Sequence, residues 1–211
     1  MICLYSGTPG SGKSLHVAGN IKARLWLGKP VICNFELDTS KVKHPQEYHY
    51  ISNQDLEPSA LIQFSRDYFA GRKVREEEIW LVLDEAQLLF NARAWQAVSS
   101  AGWVSFFSQH RKYGYHVVLI AQFDRMIDRQ IRSLIEYEYI HRKVSNYGWF
   151  GKIFSAVAAG KLFVAVQMWY PISEKVGSEF FVARKSLYSI YNTYADFGGV
   201  VTHADKVRKI G

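Results

Sequence analysis

The sequence predicts a single α/β domain in which a mostly parallel β-sheet carries helices on both faces. Apolar runs of strand length alternate with helical patterns along the chain, which is typical of parallel strands joined by helices. A length of 211 residues fits one domain. The composition, 48% hydrophobic and 21% charged, is close to the globular average and excludes a disordered, collagenous or coiled-coil chain.

The predicted elements follow from hydrophobic spacing and from turn residues. In the first helical segment, Val17, Ile21 and Leu25 recur every four residues, and Gly28 with Pro30 supplies the usual stop. An unbroken apolar run such as Ile-Trp-Leu-Val-Leu is typical of a strand that is buried on both faces. We therefore expect helices at 14–27, 58–69 and 103–113, and strands at 1–5, 31–35, 48–51, 79–83, 116–121, 136–142, 161–169 and 179–183.

The cysteines and the apolar segments indicate a reducing, cytoplasmic environment. Cys3 and Cys33 each lie inside a short apolar run, where a thiol behaves as a small hydrophobic group, so a disulfide framework is not expected. The amino-terminal sequence lacks the basic and long apolar regions of a signal peptide. Lys152 and Lys161 interrupt the longest apolar stretch, 150–170, so we expect no transmembrane segment in this sequence.

The net charge of +7 is unevenly distributed, because the whole basic excess lies in residues 106–211. Such asymmetry indicates a face that lies near an anionic partner, either nucleic acid or a lipid surface. The alternative is that the charge only aids solubility.

The strongest motif is Gly-Thr-Pro-Gly-Ser-Gly-Lys-Ser at positions 7–14, which matches the P-loop pattern G-x-x-x-x-G-K-[ST] in full. It follows a predicted strand and precedes a predicted helix, so its backbone N–H groups would surround a phosphate. Lys13 would reach the β- and γ-phosphates of ATP, and Ser14 would bind Mg²⁺. The predicted nucleotide-binding residues are Gly7, Thr8, Pro9, Gly10, Ser11, Gly12, Lys13, Ser14 and Leu15.

A pair of acidic residues follows the apolar strand at 79–83. A P-loop site needs a carboxylate on the magnesium ion, and Asp84 stands at the carboxyl end of this strand, where such a ligand is expected. Glu85 offers a second carboxylate that would polarise an attacking water, which favours a hydrolase over a kinase. The alternative is that the pair only caps a helix.

Gln122 and one of several arginines complete the predicted catalytic set. Gln122 ends the next strand at the same edge of the sheet, where its amide would contact the γ-phosphate and the water, unless it is merely a polar strand end. Arg111 is the first candidate for an arginine finger, although a cation there also suits the helix dipole. Arg93, Arg125 and Arg129 are its competitors. The seven histidines show no metal-ligand spacing.

Five segments of the chain together resemble the zonula occludens toxin (Zot) family, the morphogenesis ATPases of filamentous phages. They are SGTPGSGKS at 6–14, IWLVLDEAQ at 79–87, HRKYGYHVVLIAQ at 110–122, IDRQIRSLIEYEYIHRK at 127–143 and FVARKSLYSIYNTY at 181–194. The implied fold resembles the DNA-pumping FtsK/HerA ATPases, in which an extra strand separates the P-loop strand from the magnesium-Asp strand. By this resemblance Gln122 matches the sensor glutamine, and Arg111 the arginine before that strand.

The resemblance also implies where the protein acts and with what. It implies a cytoplasmic ATPase domain that a following helix anchors in the bacterial inner membrane, with a periplasmic region beyond residue 211. Lys206, Arg208 and Lys209 then resemble the positive cytoplasmic flank of that anchor, unless they form a solvated tail. The implied partners are further copies of the chain, the phage DNA–protein complex and other phage assembly proteins.

We therefore expect a motor domain that binds ATP and Mg²⁺ and hydrolyses ATP to drive phage assembly and extrusion. Two alternatives stay open: a small-molecule P-loop kinase, and a nucleotide-binding scaffold without turnover. The aromatic and basic stretch at 147–152, which includes Trp149, is a candidate partner-facing loop. Burial of this stretch in the core is the alternative.

Overall fold

A computed structural model of the chain describes residues 1–91, 97–146, 162–188 and 190. The strands are β1 (Ile2–Ser6), β2 (Val31–Cys33), β3 (Tyr48–Tyr50), β4 (Ile79–Leu83), β5 (Tyr115–Ile120), β6 (Tyr137–Lys143), β7 (Leu162–Trp169) and β8 (Glu174–Val182). The helices are α1 (Lys13–Trp26), α2 (Pro58–Tyr68), α3 (Ala86–Leu89), α4 (Ala97–Gln109), α5 (Arg129–Arg132) and α6 (Lys185–Tyr188). Short 3-10 turns cover Thr39–Lys41, Pro45–Glu47, His110–Tyr113, Asp124–Met126, Val144–Asn146 and Tyr170–Ile172.

The eight strands form one sheet in the order β3-β2-β4-β5-β1-β6-β7-β8. The strands from β3 to β6 in this order are parallel, and β7 and β8 extend the sheet as an antiparallel hairpin. The mostly parallel α/β class is therefore confirmed. β5 lies between β1 and β4, which is the extra strand that the family resemblance implies.

Each face of the sheet has its own apolar core. On one face, Cys3 and Tyr5 of β1 pack with Val17, Ile21 and Leu25 of α1, as the spacing of four predicts. On the other face, the alternate residues of the central strands pack against α2, α4 and α5; this core includes Ile2, Leu4, Leu81, Leu83, Val117, Leu119, Leu61, Phe106, Phe107 and Ile131. The predicted helices on both faces are thus confirmed.

Both cysteines lie in the buried core as free thiols, so the expectation of no disulfide is confirmed. Burial raises the pKa of the Cys3 thiol to about 12 and that of Cys33 well above its usual value. The thiols are therefore inert packing groups at neutral pH.

Two predicted elements begin five or six residues earlier in the structure. The expected helix at 103–113 is an α-helix over Ala97–Gln109 followed by the 3-10 turn His110–Tyr113. β8 begins at Glu174, five residues before the strand expected at 179–183. β8 pairs with β7 and is largely exposed. Its first residues are therefore mostly polar, and they lack the apolar run by which a buried strand is recognised in a sequence.

Candidate functional site

Three parallel strands bring the predicted site residues to one edge of the sheet. In register, Tyr5 of β1 lies beside Ile120 of β5, and Leu83 of β4 lies beside Leu119. The segments that follow these strands therefore start at the same edge. They are the loop at 7–12, the Asp84–Glu85 pair, and Gln122.

The loop at 7–12 adopts a backbone that glycine favours. Gly7, Gly10 and Gly12 have φ angles of +140°, +74° and +98°. A Cβ on Gly12 would lie 2.7 Å from Cδ1 of Phe163 on β7, so a side chain there would displace that ring. Gly12 also stands at the N-cap of α1, where it supplies no capping side chain to the first helical N–H groups. Those N–H groups and the helix dipole suit an anion.

Lys13 lies across this loop. Its Nζ donates to the carbonyl oxygen of Gly7 at 2.6 Å and to that of Thr8 at 3.3 Å. Burial lowers the pKa of Lys13, while the charges of Asp84 and Glu85 oppose this shift. The ammonium group is therefore close enough to both carboxylates to interact with them, as a P-loop lysine in a magnesium site requires.

Asp84 is only 7% exposed, and burial is the main reason that its pKa rises to about 6. The repulsion from Glu85 adds to this shift, whereas Lys13 and the N–H of Glu85, which donates to Oδ1 at 2.8 Å, oppose it. A cation at this position would favour the ionised form.

Asn34, just past β2, fixes the main chain of Asp84. Its Oδ1 accepts from the Asp84 N–H at 2.7 Å, and its Nδ2 donates to the Asp84 carbonyl oxygen at 2.9 Å. The same Nδ2 donates to Oδ1 of Asn53 at 2.8 Å. β2 ends at Cys33, two residues before the end of the strand expected at 31–35, because its pairings with β3 and β4 both end there.

Glu85 has a left-handed backbone, with φ of +47°, and so leaves the line of β4. Its Oε2 accepts a hydrogen bond from Nε2 of Gln87, whose side chain is buried. The carboxylate is therefore held by a residue of the same turn. This hydrogen bond orients the Glu85 carboxylate, and the Gln87 amide that donates it carries no charge.

Gln122 connects β5 to the loop through its main chain. Its carbonyl oxygen accepts from the Gly7 N–H at 3.2 Å. The residue lines a cavity of about 380 Å³ together with Gly7, Thr8 and Glu138 of β6. Burial raises the pKa of Glu138, whose Oε1 accepts from the hydroxyl of Ser6 at 2.5 Å.

Arg111 lies at the opposite edge of the sheet from this site. It precedes β5, and its guanidinium pairs with Oε2 of Glu136 at 2.5 Å, beside the start of β1. The structure thus does not bring Arg111 to the loop of its own chain. Arg125 lies closer, because it lines a second cavity of about 720 Å³ with Gln87 and Phe123.

Other predicted residues take their places as follows. Arg129 is exposed at the start of α5. Arg93, the stretch at 147–152, and Lys206, Arg208 and Lys209 lie outside the described residues.

Three residues of the site were missed by sequence reasoning: Asn34, Gln87 and Glu138. Asn34 and Glu138 act across the sheet, on residues far away in the sequence. A signal was present for Asn34, because a polar residue directly follows the apolar run Val-Ile-Cys. The sequence signal for Gln87 is weaker: it is a polar residue two positions after Glu85, on the turn that follows β4.

The residues present fit a magnesium nucleotide. The hydroxyl of Ser14 and the carboxylate of Asp84 are hard oxygen donors of the kind that Mg²⁺ prefers. Within the described residues there is no group of three His, Cys, Asp or Glu side chains placed to hold a metal by themselves. The glycine loop, the buried carboxylate after β4 and the intervening β5 define the P-loop NTPase fold.

A family model described as zonular occludens toxin (Zot) matches residues 1–195, and the chain belongs to this family. The Gene 1 protein of Escherichia phage If1 is 25% identical over 171 residues, covering 76% of this chain and 47% of that protein. The putative assembly protein ORF301 of Pseudomonas phage Pf3 is 30% identical over 159 residues, covering 71% and 47%. The chain thus spans about half the length of these relatives.

Two solved structures share the fold. The N-terminal domain of zonular occludens toxin from Neisseria meningitidis has a TM-score of 0.58 at 20% identity, covering 90% of this chain and 98% of that one. B204, the DNA-packaging ATPase from Sulfolobus Turreted Icosahedral Virus, has a TM-score of 0.53 at 14% identity, covering 85% and 95%.

In the part of the chain that the structure describes, no helix combines the length and the apolar character that crossing a bilayer requires.

Proposed function

We propose that the chain is the ATP-binding and ATP-hydrolysing motor domain of a filamentous-phage assembly protein. The observation that carries this proposal is the convergence of the glycine loop, Lys13, the buried Asp84 and its neighbour Glu85 at one edge of the sheet. A phosphate cradle beside two carboxylates is what hydrolysis of a magnesium nucleotide requires.

Each residue of the site has a distinct part in this proposal. The backbone from Gly7 to Leu15 holds the phosphates, and Lys13 leaves its two carbonyl partners to contact the β- and γ-oxygens. Ser14 and Asp84 would hold Mg²⁺, which would supply positive charge beside the phosphates. Asn34 keeps the main chain of Asp84 in place during this exchange.

Glu85 is the general base in this proposal. It accepts a proton from the attacking water, and Gln87 holds its carboxylate in one orientation beforehand. Gln122 stands at the end of β5, where its side chain contacts the γ-phosphate and the same water. Its main-chain bond to Gly7 supports this role, because that bond ties the residue to the start of the loop.

The names of the relatives support phage assembly as the process that the motor serves. ORF301 of phage Pf3 is a putative assembly protein, and the Gene 1 proteins belong to filamentous phages. We propose that the 211 residues form one domain and that copies of it assemble at the cytoplasmic face of the host inner membrane. A membrane anchor beyond residue 211 holds them there, and they act on the phage DNA–protein complex with other assembly proteins.

Product analysis with ATP and Mg²⁺ tests this function against its two alternatives. We expect the wild-type chain to form ADP and free phosphate. We expect Lys13→Ala to lose most nucleotide binding, because the ammonium group that would contact the phosphates is removed. ADP that forms only in the presence of a small-molecule acceptor would establish a kinase. Binding without turnover, also in the membrane-anchored full-length protein, would establish a scaffold.

A further inference from the structure

The peptide between Ser6 and Gly7, where β1 passes into the P-loop, is held from both sides. The Ser6 carbonyl oxygen lies 3.2 Å from Nδ1 of His141 on β6. The Gly7 N–H donates to the carbonyl oxygen of Gln122 at 3.2 Å. The Ser6 hydroxyl donates to Glu138 at 2.5 Å. The strands on either side of β1 therefore fix the orientation of this peptide.

His141 also connects this peptide to α1. Its Nε2 lies 2.8 Å from Nδ1 of His16, a residue of that helix. Its Nδ1 faces two carbonyl oxygens, those of Ser6 and, at 2.8 Å, of Tyr139. Because a carbonyl oxygen only accepts, Nδ1 of His141 carries the proton, and Nε2 accepts from the Nδ1–H of His16. The other ring nitrogen of His16, Nε2, faces Oε2 of Glu179 at 3.4 Å. A single ring thus joins the residue before the P-loop to the helix after it.

The surroundings of His141 keep its ring in place. His141 is 1% exposed and His16 is 5% exposed. Both rings pack on Tyr5, with centroid distances of 5.1 Å. Phe181 of β8 stacks on His16 from the other side, at 4.8 Å. Burial and the neighbouring His16 lower the pKa of His141 to about 3, so the ring is neutral at physiological pH.

The main chain of His141 lies against the loop as well. A Cβ on Gly7 would be 2.6 Å from the carbonyl oxygen of His141. The φ of Gly7, +140°, is itself one that favours glycine. The start of the P-loop is therefore packed directly on β6, and a shift of either one moves the other.

We propose that His141 is a positioning residue for the nucleotide site. It fixes the first peptide of the P-loop relative to α1, so that the loop N–H groups are oriented before a phosphate arrives. A loop that is already ordered in the unbound protein loses less conformational entropy when a phosphate binds, so nucleotide affinity is higher. The inference rests on the proposed function and deepens it, because it names a residue outside the P-loop on which phosphate binding depends.

Two substitutions separate the two hydrogen bonds of the ring. His141→Asn keeps a donor near the Nδ1 position and loses the bond to His16. His141→Gln keeps an acceptor near the Nε2 position and loses the donation to Ser6. His116→Asn is the matched control. His116, near the start of β5, is 5% exposed and stacks on Trp80 of β4, at the end of these strands that is far from the P-loop.

Calorimetric titration of the 211-residue chain with ATP and Mg²⁺ measures the effect. We expect each His141 variant to bind ATP about threefold to tenfold more weakly, with a smaller change in turnover at saturating ATP. His116→Asn should bind ATP as the wild type does, even where it melts at a lower temperature. Wild-type affinity in both His141 variants, or an equal loss in His116→Asn, would overturn the inference. A wild-type chain that binds no ATP would overturn the proposed function first.

A second measurement uses only the wild-type chain, so its result does not depend on whether a variant folds. Nitrogen-15 NMR of the wild-type chain reports which ring nitrogen of each histidine carries the proton. We expect His141 to carry it on Nδ1. A proton on Nε2 would contradict the donation to Ser6 and overturn the inference.

Discussion

At the scale of single residues, the site is built from side chains that restrain one another's main chain. Asn34 holds the peptide groups on both sides of Asp84, and Gln122 holds the first amide of the loop through its own carbonyl oxygen. The reactive groups thus stand on backbone that other strands fix. Such support lets a buried carboxylate stay in place although its burial is unfavourable.

Removing the charge of Asp84 should stabilise the chain in the absence of metal and nucleotide. The folded state raises the pKa of Asp84 from 3.8 to about 6, so it binds this proton more tightly than the unfolded state does. Stability from this group is complete below about pH 4 and is lost as the pH rises through about 6. Urea unfolding should therefore show Asp84→Asn to be about 1–3 kcal/mol more stable than wild type near neutral pH.

The gain from Asp84→Asn should shrink as the pH falls from neutral toward about 4, while Mg²⁺-dependent nucleotide binding is lost at every pH. Asp67→Asn serves as the control, since Asp67 is exposed and its side chain accepts a hydrogen bond from Gln63 on the same helix. A stability difference that stays constant with pH would contradict the account of Asp84.

Sequence reasoning predicts the candidate residues that a local pattern marks. The glycine loop, Asp84 and the edge position of Gln122 follow from motifs and from apolar runs that end in polar residues. It missed Asn34 and Glu138, because each acts on a residue that is adjacent only after strands pair, 50 and 132 positions away. It found no metal-ligand spacing among the histidines, and it did not predict the contact between His16 and His141 beside the loop.

At the scale of elements, the β7–β8 hairpin supports the P-loop from the side. Phe163 of β7 packs against Gly12, and Phe181 and Glu179 of β8 contact His16 of α1. The sequence predicts β7 at nearly its observed bounds and β8 only in part, because an outer strand with alternating polar residues gives little local signal. Their contribution to the site depends on a packing contact that periodicity does not reveal.

Gly12→Ala should destabilise the chain more than Gly10→Ala does. Both positions have positive φ, so each substitution strains the backbone by about 1 kcal/mol. At Gly12 the new methyl group also meets the Phe163 ring at 2.7 Å, whereas at Gly10 no atom lies within 4 Å. Urea unfolding should show a further loss of about 1 kcal/mol or more for Gly12→Ala.

The double variant Gly12→Ala, Phe163→Leu should recover part of that loss, because the smaller side chain makes room for the methyl group. Equal stabilities for Gly10→Ala and Gly12→Ala would show that the hairpin does not press on the loop.

At the scale of the whole molecule, the P-loop and the proposed arginine finger lie at opposite ends of the parallel strands. The P-loop lies at the carboxyl edge, and Arg111 lies at the amino edge, paired with Glu136. An arginine at that edge can reach a γ-phosphate only in another copy of the chain. The strand order β4-β5-β1 agrees with the family resemblance. The proposed assembly of several copies depends on contacts between chains, and the sequence of one chain does not determine these contacts.

Arg111→Ala should leave ATP affinity nearly unchanged and lower turnover about a thousandfold, because a finger supplies charge only as the transition state forms. Mixing it with Lys13→Ala chains, which bind nucleotide poorly but retain Arg111, should partly restore turnover. Glu136→Gln is the control: it breaks the ion pair and keeps the arginine, so it should remain active. No rescue in intact oligomers would exclude Arg111 and direct attention to Arg93, Arg125 and Arg129.

Phosphate release from ATP by the wild-type chain and by Glu85→Gln, with binding measured in parallel, tests the central claim most directly. The account predicts Mg²⁺-dependent release by the wild type, and release about a hundredfold or more slower by Glu85→Gln at similar ATP affinity, since an amide cannot accept the proton of the attacking water. Equal rates for the two proteins, or a wild-type oligomer that binds ATP and releases no phosphate, would contradict the assignment of an ATP-hydrolysing motor.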